Sequence, residues 1–408
     1  MKLEYTGFSE DDKLFSEQIR KFVKNEELLK EAVASDAEQR ELDARVVDAA
    51  KEAGYFGILV PEEFGGVGGT NTQYCIVAEE ISRACFALSN MIAVHSGLCT
   101  SPIIRFGSEE LKERYLPKLA TGEFIGAIAM TEPNAGSNIA ATETTACLDD
   151  KVSSGISAAE AGDHFILNGT KRFITNAKNA QVFFTVAYSG DRSKGPYGNM
   201  SAFVVEAGYP GVSIGNDTGK KMGLNAVPNS EVLFENVRVP KSNVLGAVGD
   251  GYKIQHATME SGRIFLAACS LGIAREVFER AVEYSKERVF PLPGKPVPAC
   301  DFQINQERIS NMAELVYAMA TTVYNTTKLM DAGENTKGQG SLTKSLCTDM
   351  AWKVVDEAME MFGGMAYVRE TGIERFMREL WIAKIYEGTN DICRIIAAKE
   401  LLKAPRGY

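Results

Sequence analysis

Three short stretches carry residue types and spacings that could do chemistry. In Lys384-Ile385-Tyr386-Glu387-Gly388-Thr389-Asn390-Asp391, Gly388 is suited to end one helix, and Thr389 or Asn390 to cap the next. Glu387 then falls in the last turn of the first helix, where the negative end of the helix dipole disfavours a carboxylate. Such a glutamate either faces solvent, as most lone glutamates do, or is held there for a purpose. The second stretch runs from Ala129 and Met130 through Thr131-Glu132-Pro133-Asn134-Ala135-Gly136-Ser137-Asn138. Pro133 and Gly136 force a turn directly after a strand, leaving the hydroxyls of Thr131 and Ser137 and free backbone N–H groups on one rim. That rim suits a flat heteroaromatic ligand, though an ordinary surface turn has the same residues. In the third, Lys171-Arg172-Phe173-Ile174-Thr175-Asn176-Ala177, strand alternation points Phe173 and Thr175 to one face. There Phe173 could pack on a ring while Thr175 hydrogen-bonds to it, or Phe173 could simply be core.

The elements that must hold these stretches follow from periodicity. Residues 9–30, 37–54 and 72–95 carry apolar positions at three-to-four spacing and read as helices. From about residue 124 short runs rich in β-branched and aromatic residues take over: Phe124–Met130, His164–Leu167, Val182–Tyr188, Ser201–Glu206 and Glu231–Val239. The polar stretch 149–162 reads as an excursion between two of these strands. After Pro240 long helices return. Ile264, Ala267, Leu271, Ala274, Phe278 and Ala281 form one apolar stripe; Ile309, Met312, Val316, Met319 and Val323 a second; Leu342, Leu346, Met350, Val354 and Ala358 a third. With a further helical pair at 374–386 and 391–403, this reads as a four-helix bundle with a terminal extension. The fold class is mainly α with a central β domain. Its parts are an N-terminal helical domain (1–123), a middle β domain (124–240) and a C-terminal helical bundle (241–408).

Composition narrows the chemistry. The 54 acidic residues against 44 basic give a net charge of −10, which argues against nucleic acid or an anionic membrane as the main partner. The opening residues lack the layout of a secretory signal, and no apolar run approaches bilayer length, so a cytoplasmic location with no membrane span is expected. Eight scattered cysteines without a C-x-x-C pair and three well-separated histidines (His95, His164, His256) show no metal-ligand spacing. The chemistry is therefore expected to use an organic cofactor. The glycine run Gly65–Gly69 lacks dinucleotide-fingerprint spacing and reads as a loop.

Taken together, Thr131–Ser137, Lys171–Asn176, Met222–Pro240, Phe362–Tyr367 and Ile385–Ile392 resemble, in order and over essentially the whole chain, the acyl-CoA dehydrogenase family. The resemblance implies FAD as cofactor, an acyl-CoA substrate, an electron-transferring flavoprotein as electron acceptor, and a homo-oligomer, commonly a tetramer. It implies that Met130, Thr131, Ser137, Phe173 and Thr175 line the flavin, with Ser137 also near the CoA moiety. Thr389, Asp391, Phe290, Glu360 and Gly364 would hold other parts of FAD, and Arg288 would meet the pyrophosphate of a neighbouring subunit's FAD. Tyr252, Arg263 and Gly388 would contact substrate. Glu387 matches the family's catalytic base. Relatives that carry the base on a bundle helix do so at the place of Gly262, which has no side chain to serve. Departures include Asn138 for the usual Asp, Glu360 for Gln, Ala366 for Gly, and an altered run Arg288–Lys295. They imply a specialised substrate or altered subunit contacts. Ser89 stands where glutaryl-specific relatives place an arginine, which disfavours glutarate. Competing readings are an enoyl-CoA reductase using the same site in reverse, an acyl-CoA oxidase, and a low-turnover scaffold or nucleic-acid-binding relative. The negative charge and the intact Glu387 argue against the last.

Overall fold

The computed structural model describes Leu3, residues 5–149 and residues 162–403. The excursion expected at 149–162 thus falls almost wholly outside the described residues. Helices open the chain, and side-chain caps set their ends. Ser9 and Asp12 form a reciprocal capping box at the start of α1 (Glu10–Val23), while Asn25 caps α2 (Glu26–Glu38) and Asp43 caps α3 (Ala44–Glu52). The longer helices expected over 9–30 and 37–54 are broken at these points, where a short polar side chain offers nearby N–H groups a competing acceptor. α4 (Asn71–Ala84) and α5 (Phe86–Ile92) follow. The helix then loosens into a π-helical segment, Ala93–Thr100. α6 (Ser101–Phe106) and α7 (Glu109–Thr121) lead to the sheet.

His95, in the π segment, ties this helical layer to the first strand. Its Nδ1 accepts from the Gly126 N–H at 2.9 Å and its Nε2 lies 3.0 Å from the Leu119 carbonyl. Burial pushes its pKa down to about 4, so the ring is neutral and donates through Nε2.

Among the described residues the sheet has eight strands: β1 (Gly126–Ala129), β2 (Thr145–Leu148), β3 (His164–Thr175), β4 (Val182–Tyr188), β5 (Met200–Glu206), β6 (Val212–Asp217), β7 (Asn229–Pro240) and β8 (Val244–Leu245). The order is β6-β7-β3-β2-β4-β5-β8, with β1 paired parallel to β4 through Ala127↔Phe183. β4 is buried along its whole length, and its unbroken apolar run is what a strand covered on both faces requires. On one side Phe184, Val186 and Tyr188 meet Leu111, Leu116 and Leu119 of α7; on the other Phe183 joins Phe203, Phe234 and Val237. β3 is much longer than the His164–Leu167 run suggested, because its outer half carries the Lys171–Thr175 segment.

The bundle consists of α8 (Gly251–Glu287), α9 (Gln303–Asp331) and α10 (Lys337–Phe362), with α11 (Ile373–Leu380) and α12 (Asn390–Lys403) closing it. A small exposed hairpin, β9 (Val289–Leu292) and β10 (Lys295–Pro298), joins α8 to α9. One expected stripe is only partly kept: Val354 and Ala358 are buried, but its two leucines face outward. Leu342 and Leu346 are 44% and 40% exposed, and the inward face of α10 is instead Cys347, Ala351, Val354, Val355 and Ala358. Small residues let α10 approach α8 closely, which a leucine seam would not. No helix among the described residues is long and apolar enough to cross a membrane.

Candidate active site

Glu387 lies on a turn that no helix supports directly. α11 ends at Leu380 and a 3₁₀ turn follows at Trp381–Lys384. Glu387 then takes φ +60° and Gly388 φ +85°. The expected placement in the last turn of a helix is therefore corrected, and the helix-dipole penalty does not apply there. A left-handed glutamate followed by a left-handed glycine is strained, and persists only where its surroundings hold it. Beyond the turn Thr389 caps α12, accepting from the Ile392 N–H at 3.3 Å. The residue as a whole keeps some accessible surface, yet the Glu387 Oε2 is sealed from solvent and has no hydrogen-bond partner among the described residues. Burial pushes the carboxyl pKa up to about 7, against the pull of the Arg263 and Lys344 charges.

That carboxylate forms one wall of a narrow, largely apolar pocket. α8 contributes Gly262 and Phe265, the π segment contributes Val94 and Leu98, and Asn90 and Tyr386 complete the lining. The wider π turn rotates Ala93, Val94 and Leu98 to the same wall, a local device common at functional sites. Asn90 Nδ2 donates to the Tyr386 hydroxyl at 3.1 Å, tying the two linings together. Gly262 is small for a specific reason. A Cβ there would come within 2.5 Å of Glu387 Oε2 and 2.8 Å of Leu98 Cδ2, so the carboxylate occupies the space a side chain at 262 would fill.

The rim residues lie on the β domain. Thr131 follows β1, and its carbonyl accepts from the Arg172 N–H at 2.7 Å. Beneath this loop is a buried ion pair: Lys171 Nζ donates to Glu132 Oε1 at 2.7 Å and to the Val186 carbonyl at 3.0 Å. Glu132 also accepts from the Thr144 hydroxyl at 2.5 Å and the Glu143 N–H at 2.5 Å. Burial raises the Glu132 pKa, but Lys171 and these donors outweigh it and hold the carboxylate below its usual range. A register break between Lys171 and Ile174, with Phe173 at φ +60°, interrupts the strand alternation. Ile174 still faces the core, while Phe173 is 52% exposed, so Phe173 is not a core residue. Thr175 Oγ1 accepts from Asn229 Nδ2 at 3.3 Å, Met130 Sδ from Gln255 Nε2 at 2.7 Å, and Ser137 is exposed. An open aromatic ring, rim hydroxyls and the buried Asn176 Oδ1, which has no partner among the described residues, fit a flat, hydrogen-bonding ring system such as an isoalloxazine.

The other expected residues lie on α8, α10 and α12 and on the segments that follow α8 and α10. Arg263, expected at the substrate, is 4% exposed and donates to the Glu387 carbonyl at 3.2 Å and to Ser341 Oγ at 3.3 Å; it supports the turn. Tyr252, near the start of α8, stacks edge-on with Tyr197 and His256. Asp391 pairs with Arg394 on the exposed face of α12. Arg288 ends α8 and sits over the Phe290 ring at 5.4 Å, Glu360 pairs with Arg308, and Gly364 lies in the 3₁₀ turn after α10. Arg288 is roughly 25 residues, hence about 37 Å, beyond Arg263 along one helix. The Arg288 cluster and the Glu387 pocket of one chain are therefore separate places.

Sequence reasoning missed Lys344, Asn390, the π segment and the Asn90–Tyr386 contact. Lys344 had a signal, since it interrupts the face on which Gly340, Cys347 and Ala351 are buried.

Comparison with known proteins agrees with this architecture. Models of the acyl-CoA dehydrogenase N-terminal, middle and C-terminal domains match residues 9–123, 127–237 and 249–402. The chain is 37% identical over 86% of its length to an acyl-CoA dehydrogenase of Bacillus subtilis, covering 87% of that protein. It is 34% identical over 97% of its length to the 3-(aryl)acrylate reductase of Clostridium sporogenes, covering 100% of it. Its fold is similar to butyryl-CoA dehydrogenase from Megasphaera elsdenii, with a TM-score of 0.89 and 32% identity over 98% of this chain and 100% of that one. The three family models matched in order along the chain, with the 37% identity to an acyl-CoA dehydrogenase, show that this chain belongs to the acyl-CoA dehydrogenase family of FAD-dependent oxidoreductases.

Proposed function

We propose that the protein removes hydrogen from the α and β carbons of a short-chain acyl-CoA thioester, with Glu387 as the base that takes the α proton. The observation that carries this reading is the sealed Glu387 Oε2 on the wall of the pocket, with a pKa of about 7. Desolvation makes the carboxylate more basic than an exposed one, while leaving a useful fraction ionised near neutrality. Bound FAD would supply the acceptor for the hydride that leaves the β carbon. Met130, Thr131, Ser137, Phe173 and Thr175 would hold its ring system on the β-domain side, and Thr389 and Asp391 other parts of it. The backbone N–H of Glu387 would polarise the thioester carbonyl, favouring an enolate-like transition state. The small pocket, bounded by Phe265 and the Asn90–Tyr386 pair, favours a short acyl group.

The separation along α8 supports a homo-oligomer in which Arg288, Phe290, Glu360 and Gly364 serve the FAD of a neighbouring copy. The outward-facing Leu342 and Leu346 offer apolar surface for such contacts. An electron-transferring flavoprotein is the proposed acceptor. The likeness to a 3-(aryl)acrylate reductase favours a second reading, in which the same groups run in reverse and reduce an enoyl substrate.

An ultraviolet–visible spectrum followed by anaerobic titration with a panel of acyl-CoA thioesters tests the proposal. A flavin band that bleaches with short saturated thioesters is expected. A protein that cannot be loaded with FAD, or whose flavin no thioester reduces, would sink it. Within that assay Gly262→Ala should slow flavin reduction about 100-fold, because the new methyl displaces the carboxylate on the scale of an ångström. An unimpaired Gly262→Ala enzyme would show that Glu387 need not sit where it does.

A further inference from the structure

Lys344, midway along α10, is a buried cation to which nothing above gives a purpose. It is fully buried, and its Nζ donates to two neutral oxygens, the Gly388 carbonyl and Asn390 Oδ1, each at 2.8 Å. Sealing an ammonium from water is costly, and with no carboxylate in contact among the described residues the cost is not recovered by an ion pair. Burial accordingly pushes the Lys344 pKa down to about 8.

Its position gives the charge a use. The strained turn at Glu387 and Gly388 has its two carbonyls held by two cations, Arg263 on the Glu387 oxygen and Lys344 on the Gly388 oxygen. Asn390 is fixed in turn, its Nδ2 donating to Thr348 Oγ1 at 2.9 Å and Asp349 Oδ1 at 3.0 Å. Lys344 and Thr348, one turn apart on α10, thus bind the start of α12 and the turn before it to the bundle. The titratable groups around Glu387 and Lys344 are Arg263 and Cys269 from α8, Lys344 and Asp349 from α10, Cys393 from α12, Tyr74 from α4 and the adjoining Tyr386. Burial raises the pKa of the two tyrosines and the two thiols, which keeps them uncharged at neutral pH. Arg263 and Lys344 are therefore the positive charges in this group.

We propose that Lys344 is a positioning residue for Glu387: it clamps the left-handed turn that aims the carboxylate into the pocket, and its charge keeps that carboxylate ionised. This rests on Glu387 being the base.

The test is anaerobic stopped-flow flavin reduction by one acyl-CoA across a range of pH, using FAD-loaded protein. In Lys344→Met the acid limb of the rate profile should move up by about one pH unit, a fall of about tenfold in rate at pH values below both limbs. Lys344→Arg, which keeps the charge, should leave the limb nearer its original place. Asn390→Asp sets a carboxylate against Lys344 and should move the limb upward even if Lys344→Met fails to fold. Amide exchange at residues 386–390 should quicken in Lys344→Met. A lysine that merely fills space would lower thermal stability and flavin content but leave the limb where it was. A stationary limb in both charge-altering variants, or unchanged exchange at the turn in Lys344→Met, overturns the proposal. A Glu387→Gln protein that still reduces its flavin sinks the base assignment instead, so the two failures are distinguishable.

Discussion

Glu387→Gln should lose flavin reduction by thioester, with a fall of at least about 10³-fold, within the range contributed by a positioned general base. The amide has nearly the shape of the carboxylate, so thioester binding and the resting flavin spectrum should persist. Wild-type kcat/KM should rise with pH through about 7 and then level, because the base must be ionised and burial pushes its pKa up to about 7. The same group makes a separate claim about stability. A carboxyl whose folded pKa lies above its ordinary 4.5 binds its proton more tightly folded than unfolded. Its contribution is full below about pH 4.5 and is lost as pH rises through about 7. Gln carries no such loss. The variant should therefore be more stable than wild type at pH 8, by up to about 2–3 kcal/mol, and indistinguishable near pH 4. Thermal midpoints at the two pH values check this. A Glu387→Gln protein that retains activity, or shows no pH-dependent difference in stability, would mean that the carboxylate is neither the base nor desolvated.

Lys171→Met should give the largest single loss of stability, about 3–5 kcal/mol, because it leaves the Glu132 carboxylate buried without its counter-ion. Lys171 also reaches the Met130 carbonyl at 3.4 Å, so it ties the end of β1 to β3. Thr131 hangs on one side of that tie and Phe173 on the other. Weakened FAD retention should accompany the lower melting temperature. The double variant Lys171→Met, Glu132→Gln should recover part of the stability, since the orphaned charge is then gone. Equal stability in the single and double variants would show that the pair is not the source of the effect.

How much of this was legible in the sequence depends on which physical rule ruled each segment. Val182–Tyr188 could be bounded to the residue because an apolar run between turn residues has few other uses. The stripe that marks α8 begins at Ile264, but the helix begins at Gly251, because its first turns carry polar residues that the stripe does not include. The π segment was invisible, since a wider helical turn leaves no mark on a search for 3.6-residue periodicity. The leucines of α10 were assigned inward because they share the helical spacing of Val354 and Ala358, whereas close helix packing selected the small residues beside them. At the site, the Ile385–Ile392 motif located Glu387, but its backbone could not be foreseen. A glutamate with φ near +60° has no propensity signature and exists because tertiary contacts hold it. Lys344 was passed over for the corresponding reason: lysine is assigned to solvent by default, and the partners that override the default come from a turn more than 40 residues away.

The length of α8 has a consequence for heredity. On the reading of Arg288 given above, the helix serves two different flavins, its own near Gly262 and a neighbour's at its far end. Damage at one end then disables a different catalytic centre from damage at the other. Two defective alleles, one lacking the base and one lacking Arg288, would assemble into mixed oligomers in which some centres receive both intact parts. Loss of function in this protein would then be a property of the assembly rather than of each polypeptide, and complementation between two lesions would not prove that they lie in different genes.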